Sequence, residues 1–371
     1  MRIAVISNTS WNILNFRLGL IEALQKQGYE VVYYAPFDDS VARIAERNAV
    51  PYRAIKHLQR KGYNPLADIQ LTYELYSYFR KDKIDVALNY TVKPNIYGSI
   101  AARLAGVRSI ANLTGLGFLF LKNSLANRFA IRLYQFGLWF AHRVVFQNQT
   151  DKTLFETRGL CSKHKTLLIP GSGINTDHYK PSQTQEPNTA FVFLFIGRLL
   201  YDKGIREFVT AANQLHALYP AIQFHMVGAL DEGNPSAVSQ SELTRWLSEN
   251  SALHYFGAQN DVRPFIEAAH AVVLPSYREG IPRVLLEAMA LEKPFITVNT
   301  PGCADVTRPG ENGLLAEPAS AVSLQACMDA MLQLSSADRQ AMGQHGRRLV
   351  ESVYDEKIVT AEYFRLILSL S

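Results

Sequence analysis

The chain has 371 residues, 48% hydrophobic and 19% charged, with 38 Lys and Arg against 33 Asp and Glu for a formal net charge of +5. That length and balance predict two globular domains with sizeable cores, and they exclude disordered, collagen-like and low-complexity chains. So small a charge excess gives no argument for nucleic acid, whereas it suits an anionic substrate or a lipid surface.

The chain opens on Met1-Arg2-Ile3-Ala4-Val5-Ile6-Ser7, too short an apolar run for a secretory leader, which reads as a first strand. Further strands are expected at Glu30–Ala35, Ile84–Asn89, Arg108–Asn112, Arg143–Phe146 and Thr166–Ile169, with helices between them at Arg17–Gln27, Pro65–Arg80 and Asn95–Ala105. A polar stretch follows, Lys180 to Thr189, twice broken by proline, which reads as an interdomain linker. The alternation then restarts, with strands at Phe191–Ile196, Ile222–Val227, Ala271–Leu274 and Phe295–Val298. Helices are expected at Gly204–Leu218, Ser239–Glu249, Pro282–Leu291, Ala321–Leu334, Asp338–Val353 and Lys357–Leu370. Strand-helix alternation of this kind predicts two α/β domains, each with a doubly wound parallel sheet. Cys161, Cys303 and Cys327 are far apart, with no metal or disulfide spacing, which predicts reduced thiols in a cytoplasmic protein. No stretch approaches the 18 or so apolar residues of a membrane span.

Two strand ends carry the chemistry. Strand Phe191–Ile196 runs into Gly197-Arg198 and on to Lys203-Gly204 before a helix. The glycine is expected to allow a tight turn, the helix start offers free N–H groups, and two cations at one strand end suit a pyrophosphate. Strand Ala271–Leu274 runs into a loop with Glu279, Gly280, Ile281 and Pro282, and Glu287 follows in the next helix. Pro282 suits a first helical position, the N–H groups of Gly280 to Arg283 could take more of a diphosphate, and carboxylates can grip sugar or ribose hydroxyls bidentately. Two surface glutamates on an amphipathic helix would not explain why glutamate, glycine and proline gather at a strand end.

The Glu279-x7-Glu287 spacing, the Gly197-Arg198…Lys203-Gly204 run and Gly173-Ile174-Asn175 together resemble a retaining glycosyltransferase of family 4, over the whole chain. The resemblance implies an α/β fold of GT-B type, with two facing Rossmann-like doubly wound domains and a cleft between them. Residues 1–175 would form the acceptor-binding domain, 176–189 the linker and 190–354 the nucleotide-sugar-binding domain, with a final helix at 355–371 packing back on the first domain. It further implies that Arg198 and Lys203 neutralise the diphosphate of a UDP-sugar, that Glu287 holds the ribose and that Glu279 contacts the donor sugar. Gly197, Gly280 and Ile281 would complete the donor site, and backbone around Ala258 would read the base. Glu279, Arg198 and Lys203 would be the catalytic set, with no metal and no other cofactor.

The first domain lacks the Gly-Gly turn and the histidine common in that family. Asn15-Phe16-Arg17, Thr91-Val92-Lys93-Pro94-Asn95, Thr114-Gly115-Leu116-Gly117 and Asp231-Glu232-Gly233-Asn234-Pro235 instead resemble a subgroup that builds bacterial surface polysaccharides and protein glycans on polyprenyl diphosphate. In that setting Arg17 and Lys93 would be cations near the acceptor diphosphate, with Asn95 and Thr114 as hydroxyl partners. The expected partners are thus a UDP-sugar, a lipid-linked saccharide and the cytoplasmic face of the inner membrane, with no nucleic acid. Phe118–Arg132, bulky apolar residues mixed with basic ones, would make the membrane contact. His142, His164, His178, His225, His254 and His270 are scattered without metal spacing and read as structural. An epimerase of similar architecture, turning over a UDP-sugar without acceptor, is the alternative enzyme; a nucleotide-sugar-binding scaffold subunit is the alternative outside catalysis.

Overall fold

A computed structural model describes residues 1–59, 64–116, 125–182, 190–231 and 233–370. It divides into two compact units, Met1–Ser172 with Glu356–Ser371, and Gly173–Asp355. Of the expected linker, residues 183–189 lie outside the described residues; Tyr179, just ahead of them, packs in a core of the second unit.

The first unit holds seven strands: β1 Arg2–Ile6, β2 Glu30–Ala35, β3 Tyr52–Ala54, β4 Val86–Tyr90, β5 Arg108–Leu113, β6 Arg143–Phe146 and β7 Thr166–Leu168. Their order is β3-β2-β1-β4-β5-β6-β7, and every pairing is parallel. Parallel sheets are covered on both faces, so their strands are apolar throughout. Within β1, Ala4 and Ile6 enter one core while Ile3 and Val5 enter the other, the two-residue alternation of a pleated strand. Helix Glu356–Leu368 belongs here and buries Val359, Tyr363, Leu366 and Ile367 with the second of these cores.

The second unit repeats the plan with β8 Val192–Ile196, β9 Gln223–Val227, β10 Leu253–Tyr255, β11 Ala271–Leu274, β12 Phe295–Val298 and β13 Gly313–Ala316, in the order β10-β9-β8-β11-β12-β13, again all parallel. In both sheets the strand order reverses beside the first strand, and ligands of doubly wound folds bind outside the carboxyl ends at such a reversal.

One device recurs in both units. His142, just before β6, accepts the Ser109 N–H on Nδ1 at 3.1 Å and donates its own N–H to the Ser109 carbonyl at 2.9 Å. His270, just before β11, does the same with Val192, at 3.1 and 2.9 Å. A nitrogen that accepts is unprotonated, and burial lowers both pKa values, that of His270 to about 4. Burial beside His254 also brings His225 down to about 4. A histidine that titrates lower folded than unfolded contributes stability that is complete above the unfolded value, near 6.5, and is lost as pH falls toward the folded value. Thermal unfolding is therefore expected several degrees lower at pH 5 than at pH 7, at on the order of 1 kcal/mol per histidine after allowing for partial exposure. A flat profile over that interval would overturn this account.

Candidate active site

The loops at the carboxyl ends of β8, β9 and β11, with the helix Arg283–Ala290 that follows β11, carry three ion pairs. Lys203 Nζ meets Glu279 Oε1, both side chains being largely buried. The Arg198 guanidinium lies 2.6 Å from Asp231 Oδ2, which also accepts from Asn234 Nδ2 at 3.1 Å. Arg283 Nε donates to Glu287 Oε1 at 3.0 Å, and the Tyr179 hydroxyl donates to the same oxygen at 3.0 Å. Glu287 is buried, and burial together with its charge holds the Tyr179 phenol protonated, as a donor must be.

Glycines set the spacing of these loops. Gly204 has a φ of +73°, and a Cβ there would stand 2.1 Å from the Pro275 carbonyl oxygen, so the loop after β8 can rest on the loop after β11 only without a side chain. At Gly302, φ is +82° and a Cβ would lie 2.3 Å from the Gly280 oxygen and 2.6 Å from that of Glu279, fixing the Glu279 loop from the other side. Gly197 is different. Its φ lies outside the left-handed region, and a Cβ would meet only Phe195 at 3.6 Å, so the expected tight turn is not its task. The constraint falls instead on Gly204 and on Gly228, whose Cβ would reach within 1.8 Å of the Gly197 oxygen. Pro282 also shifts by one place: it caps the helix Arg283–Ala290 from outside, at ψ 110°. Gly280 is buried, Ile281 half-buried, and Ala258 lies exposed one residue beyond Gly257, whose carbonyl accepts the Gly228 N–H at 2.8 Å. In the second unit Gly197, Arg198 and Lys203 therefore follow β8, Ala258 follows β10, and Glu279, Gly280 and Ile281 follow β11, with Glu287 in the helix after them.

In the first unit the expected acceptor residues separate. Arg17 is 3% exposed, with its guanidinium 4.0 Å over the Tyr90 ring. Lys93 is an ion-pair partner, its Nζ 2.7 Å from Asp68 Oδ1, and the Tyr97 hydroxyl donates to the other oxygen at 2.9 Å. Asn95 is 1% exposed, and its amide nitrogen reaches the Asn112 carbonyl at 2.9 Å and the Tyr134 hydroxyl at 3.0 Å while its oxygen accepts from Asn112 N at 3.0 Å. This corrects the expectation of a ligand-facing amide: Asn95 ties the turn after β4 to β5. Thr114 is half-buried just after β5, and Gly117 lies outside the described residues. So do residues 118–124 of the expected membrane segment; Phe129, Phe136 and Trp139 on the helix Leu125–Phe140 are 55%, 54% and 71% exposed. No helix among the described residues is long and apolar enough to cross a membrane.

Sequence reasoning missed the partners that hold these charges: Tyr179, whose signal was only its place beside the linker, and Asp68. Asp231 was noticed as part of a motif, though not as the carboxylate of Arg198.

A family described as glycosyl transferases group 1 matches residues 178–349, and one described as glycosyl transferase 4-like matches residues 2–148. The chain thus carries a glycosyl transferase 4-like domain followed by a group 1 glycosyl transferase domain. The transferase is similar to the N,N'-diacetylbacillosaminyl-diphospho-undecaprenol alpha-1,3-N-acetylgalactosaminyltransferase of Campylobacter jejuni, at 27% identity over 99% of this chain and 98% of that one. It is similar also to the Escherichia coli UDP-Gal:alpha-D-GlcNAc-diphosphoundecaprenol alpha-1,3-galactosyltransferase, at 26% identity over 68% and 67%. Among solved structures, HepE of Anabaena in complex with UDP and glucose superposes with a TM-score of 0.83 at 19% identity over the whole of both chains. Sucrose-phosphate synthase of Thermosynechococcus elongatus gives 0.83 at 20% identity over 100% and 99%. At such identities the likeness is one of fold, and that fold is GT-B. Both matching families are transferases, so the epimerase alternative is without support.

Proposed function

We propose that this transferase moves a hexose or N-acetylhexosamine, with retention and without metal, from a UDP-sugar to a polyprenyl-diphosphate-linked saccharide during the building of a bacterial surface polysaccharide or glycan. The observation that carries this reading is the set of carboxylate-held cations on the strand ends of the second unit, Lys203 on Glu279 and Arg198 on Asp231. A leaving diphosphate needs positive charge held in place before the bond breaks, and two pre-placed cations supply it without reorganisation. Glu287, Tyr179 and the half-buried Arg283 form a polar cluster suited to ribose hydroxyls, and Glu279 is freed to reach the donor sugar when the diphosphate takes its place on Lys203. Gly197, Gly280 and Ile281 line the approach, and the exposed backbone at Ala258 is left for the base. Retention follows from same-face transfer through an oxocarbenium-like transition state, the departing diphosphate helping to deprotonate the acceptor. The two relatives named above act on diphospho-undecaprenol saccharides, which supports the acceptor class.

The test is calorimetric or thermal-shift titration with UDP, GDP and a panel of UDP-sugars in the absence of metal. UDP and one UDP-sugar are expected to stabilise the protein selectively, by about 2.7 kcal/mol at a hundred times Kd. Response to GDP alone, or to no nucleotide, would overturn the donor assignment.

A lipid-linked acceptor places the work at the cytoplasmic face of the inner membrane. The exposed Phe129, Phe136 and Trp139, with Arg128 and Arg132 on the same helix, suit an anionic interface. Flotation with anionic liposomes is expected to carry the protein up, and an Arg128→Ala/Arg132→Ala double variant to do so several-fold less. Equal flotation of the two would remove this helix from the contact.

A further inference from the structure

Arg347 lies near the end of helix Ser336–Leu349, and its guanidinium ties three segments of the second unit together. Nη1 donates to the Tyr179 carbonyl at 2.5 Å and to the Ala290 carbonyl at 2.6 Å, while Nη2 donates to the Thr176 carbonyl at 3.1 Å. Ala290 is the last residue of helix Arg283–Ala290, where the final carbonyls have no donor within the helix and the dipole favours a cation. Glycines bring the two helices close. A Cβ at Gly343 would stand 1.9 Å from the Glu292 carbonyl oxygen, and one at Gly346 would stand 2.9 Å from Met289 Cγ. The Arg347 side chain is 13% exposed, and the exposed Glu351 pairs with its Nε at 2.6 Å.

These bonds converge on Glu287. Tyr179 donates its hydroxyl to Glu287 Oε1, and Glu287 shares the last turn of its helix with Ala290. One guanidinium therefore fixes both the backbone that carries the phenol and the helix that carries the carboxylate. Arg283 Nε donates to the same oxygen at 3.0 Å. A carboxylate has about four acceptor sites, two on each oxygen. Both on Oε1 are taken, so a ligand diol meets Oε2, in an orientation that Tyr179 sets. Burying a guanidinium costs desolvation that an apolar side chain would avoid, and what it contributes in exchange is a rigid fork of donors.

We infer that Arg347 is a positioning residue for nucleotide binding: through Tyr179 it fixes the Glu287 carboxylate, and so sets the preference of the site for a ribose over a 2′-deoxyribose nucleotide. This rests on the reading of Glu287 as the ribose carboxylate. A site built to accept from a hydroxyl rejects the analogue that lacks it, because its acceptor is then left unpaired. That rejection requires an acceptor that cannot turn away. With Tyr179 held, Oε2 faces both ribose hydroxyls; with Tyr179 released, the carboxylate rotates and one hydroxyl serves nearly as well as two.

The test titrates the full chain with UDP and with 2′-deoxy-UDP. The wild type is expected to prefer UDP at least tenfold. Tyr179→Phe and Arg347→Met are each expected to reduce that preference to threefold or less, and the double variant to be no worse than Tyr179→Phe, since the two residues act in series. Arg347→Lys, one ammonium in place of a fork, is expected to recover part of the preference, and Glu351→Gln to keep all of it. A merely structural role would lower Tm and leave the ratio of the two affinities unchanged. Where Arg347→Met does not fold, Tyr179→Phe decides, because it removes a single hydroxyl. A wild-type preference that survives in Tyr179→Phe, or in a folded Arg347→Met, would overturn the inference alone. A wild type that binds both nucleotides equally, or neither, would overturn the ribose reading of Glu287 and this inference with it.

Discussion

Replacing Lys203 by alanine is expected to lower kcat for sugar transfer by about 10²–10³-fold, roughly 3–4 kcal/mol of transition-state stabilisation, the range found when one pre-placed donor to a developing anion is removed. The argument is one of charge. With Lys203 present, its pair with Glu279 leaves the loop neutral, and an incoming diphosphate exchanges one anion for another around the same cation. Without it, the Glu279 carboxylate stays behind in a largely buried place and repels the diphosphate that develops charge as the glycosidic bond breaks. The loss is therefore expected to exceed that from Glu279→Gln, and the double variant to be less impaired than the sum of the singles, as for groups that act as a unit. Initial rates with a UDP-sugar and a prenyl diphosphate saccharide measure it, and a Lys203→Ala enzyme within threefold of wild type would remove Lys203 from catalysis.

Gly204→Ala is expected to be nearly as damaging by a different route. The new methyl meets the Pro275 carbonyl oxygen, a backbone atom, and the positive φ at this position disfavours any side chain. Relief requires the loop after β11 to move, which carries Glu279 away from Lys203. We expect a loss of about 2–4 kcal/mol of stability, read by denaturant unfolding, together with loss of UDP binding. Gly197→Ala, which meets no atom closer than 3.6 Å, is the control and is expected to cost well under 1 kcal/mol. Equal stability of the two variants would contradict the packing described for these loops.

The contrast between these glycines shows where the sequence is readable. β1, β2, β6, β11 and β12 fall at the expected residues because each is a run of apolar side chains buried on both faces. β3, β10 and β13 were not anticipated, and all three lie at sheet edges, where a strand has one neighbour and no need of an apolar run; Tyr52, Arg53 and Ala54 are all half-buried. The expected helix over Arg17–Gln27 is found as Leu18–Lys26, and the helix Ser10–Phe16 ahead of it was not anticipated, because no glycine or proline marks the break at Arg17. In the candidate site of the second unit the residue types were legible, since glycine, cations and glutamates cluster at strand ends. Their pairing was not, because Lys203 and Glu279 are 76 positions apart and only the sheet order brings them together. The partner of Lys93 was hidden for the same reason: Asp68 lies on another helix, 25 positions away.

The helix Glu356–Leu368 has a consequence for how the chain reaches its final form. The core of the first unit includes Val359, Tyr363 and Ile367, yet these are synthesised only after the whole of residues 173–355. At ribosomal rates that is an interval of roughly ten to forty seconds in which the first 172 residues have every strand of their sheet but an unfilled flank. The second unit is continuous in sequence and can close as soon as it leaves the ribosome. The first must hold its apolar flank open across that delay, which makes the nascent chain, rather than the finished enzyme, the species most exposed to misassociation and most in need of chaperones.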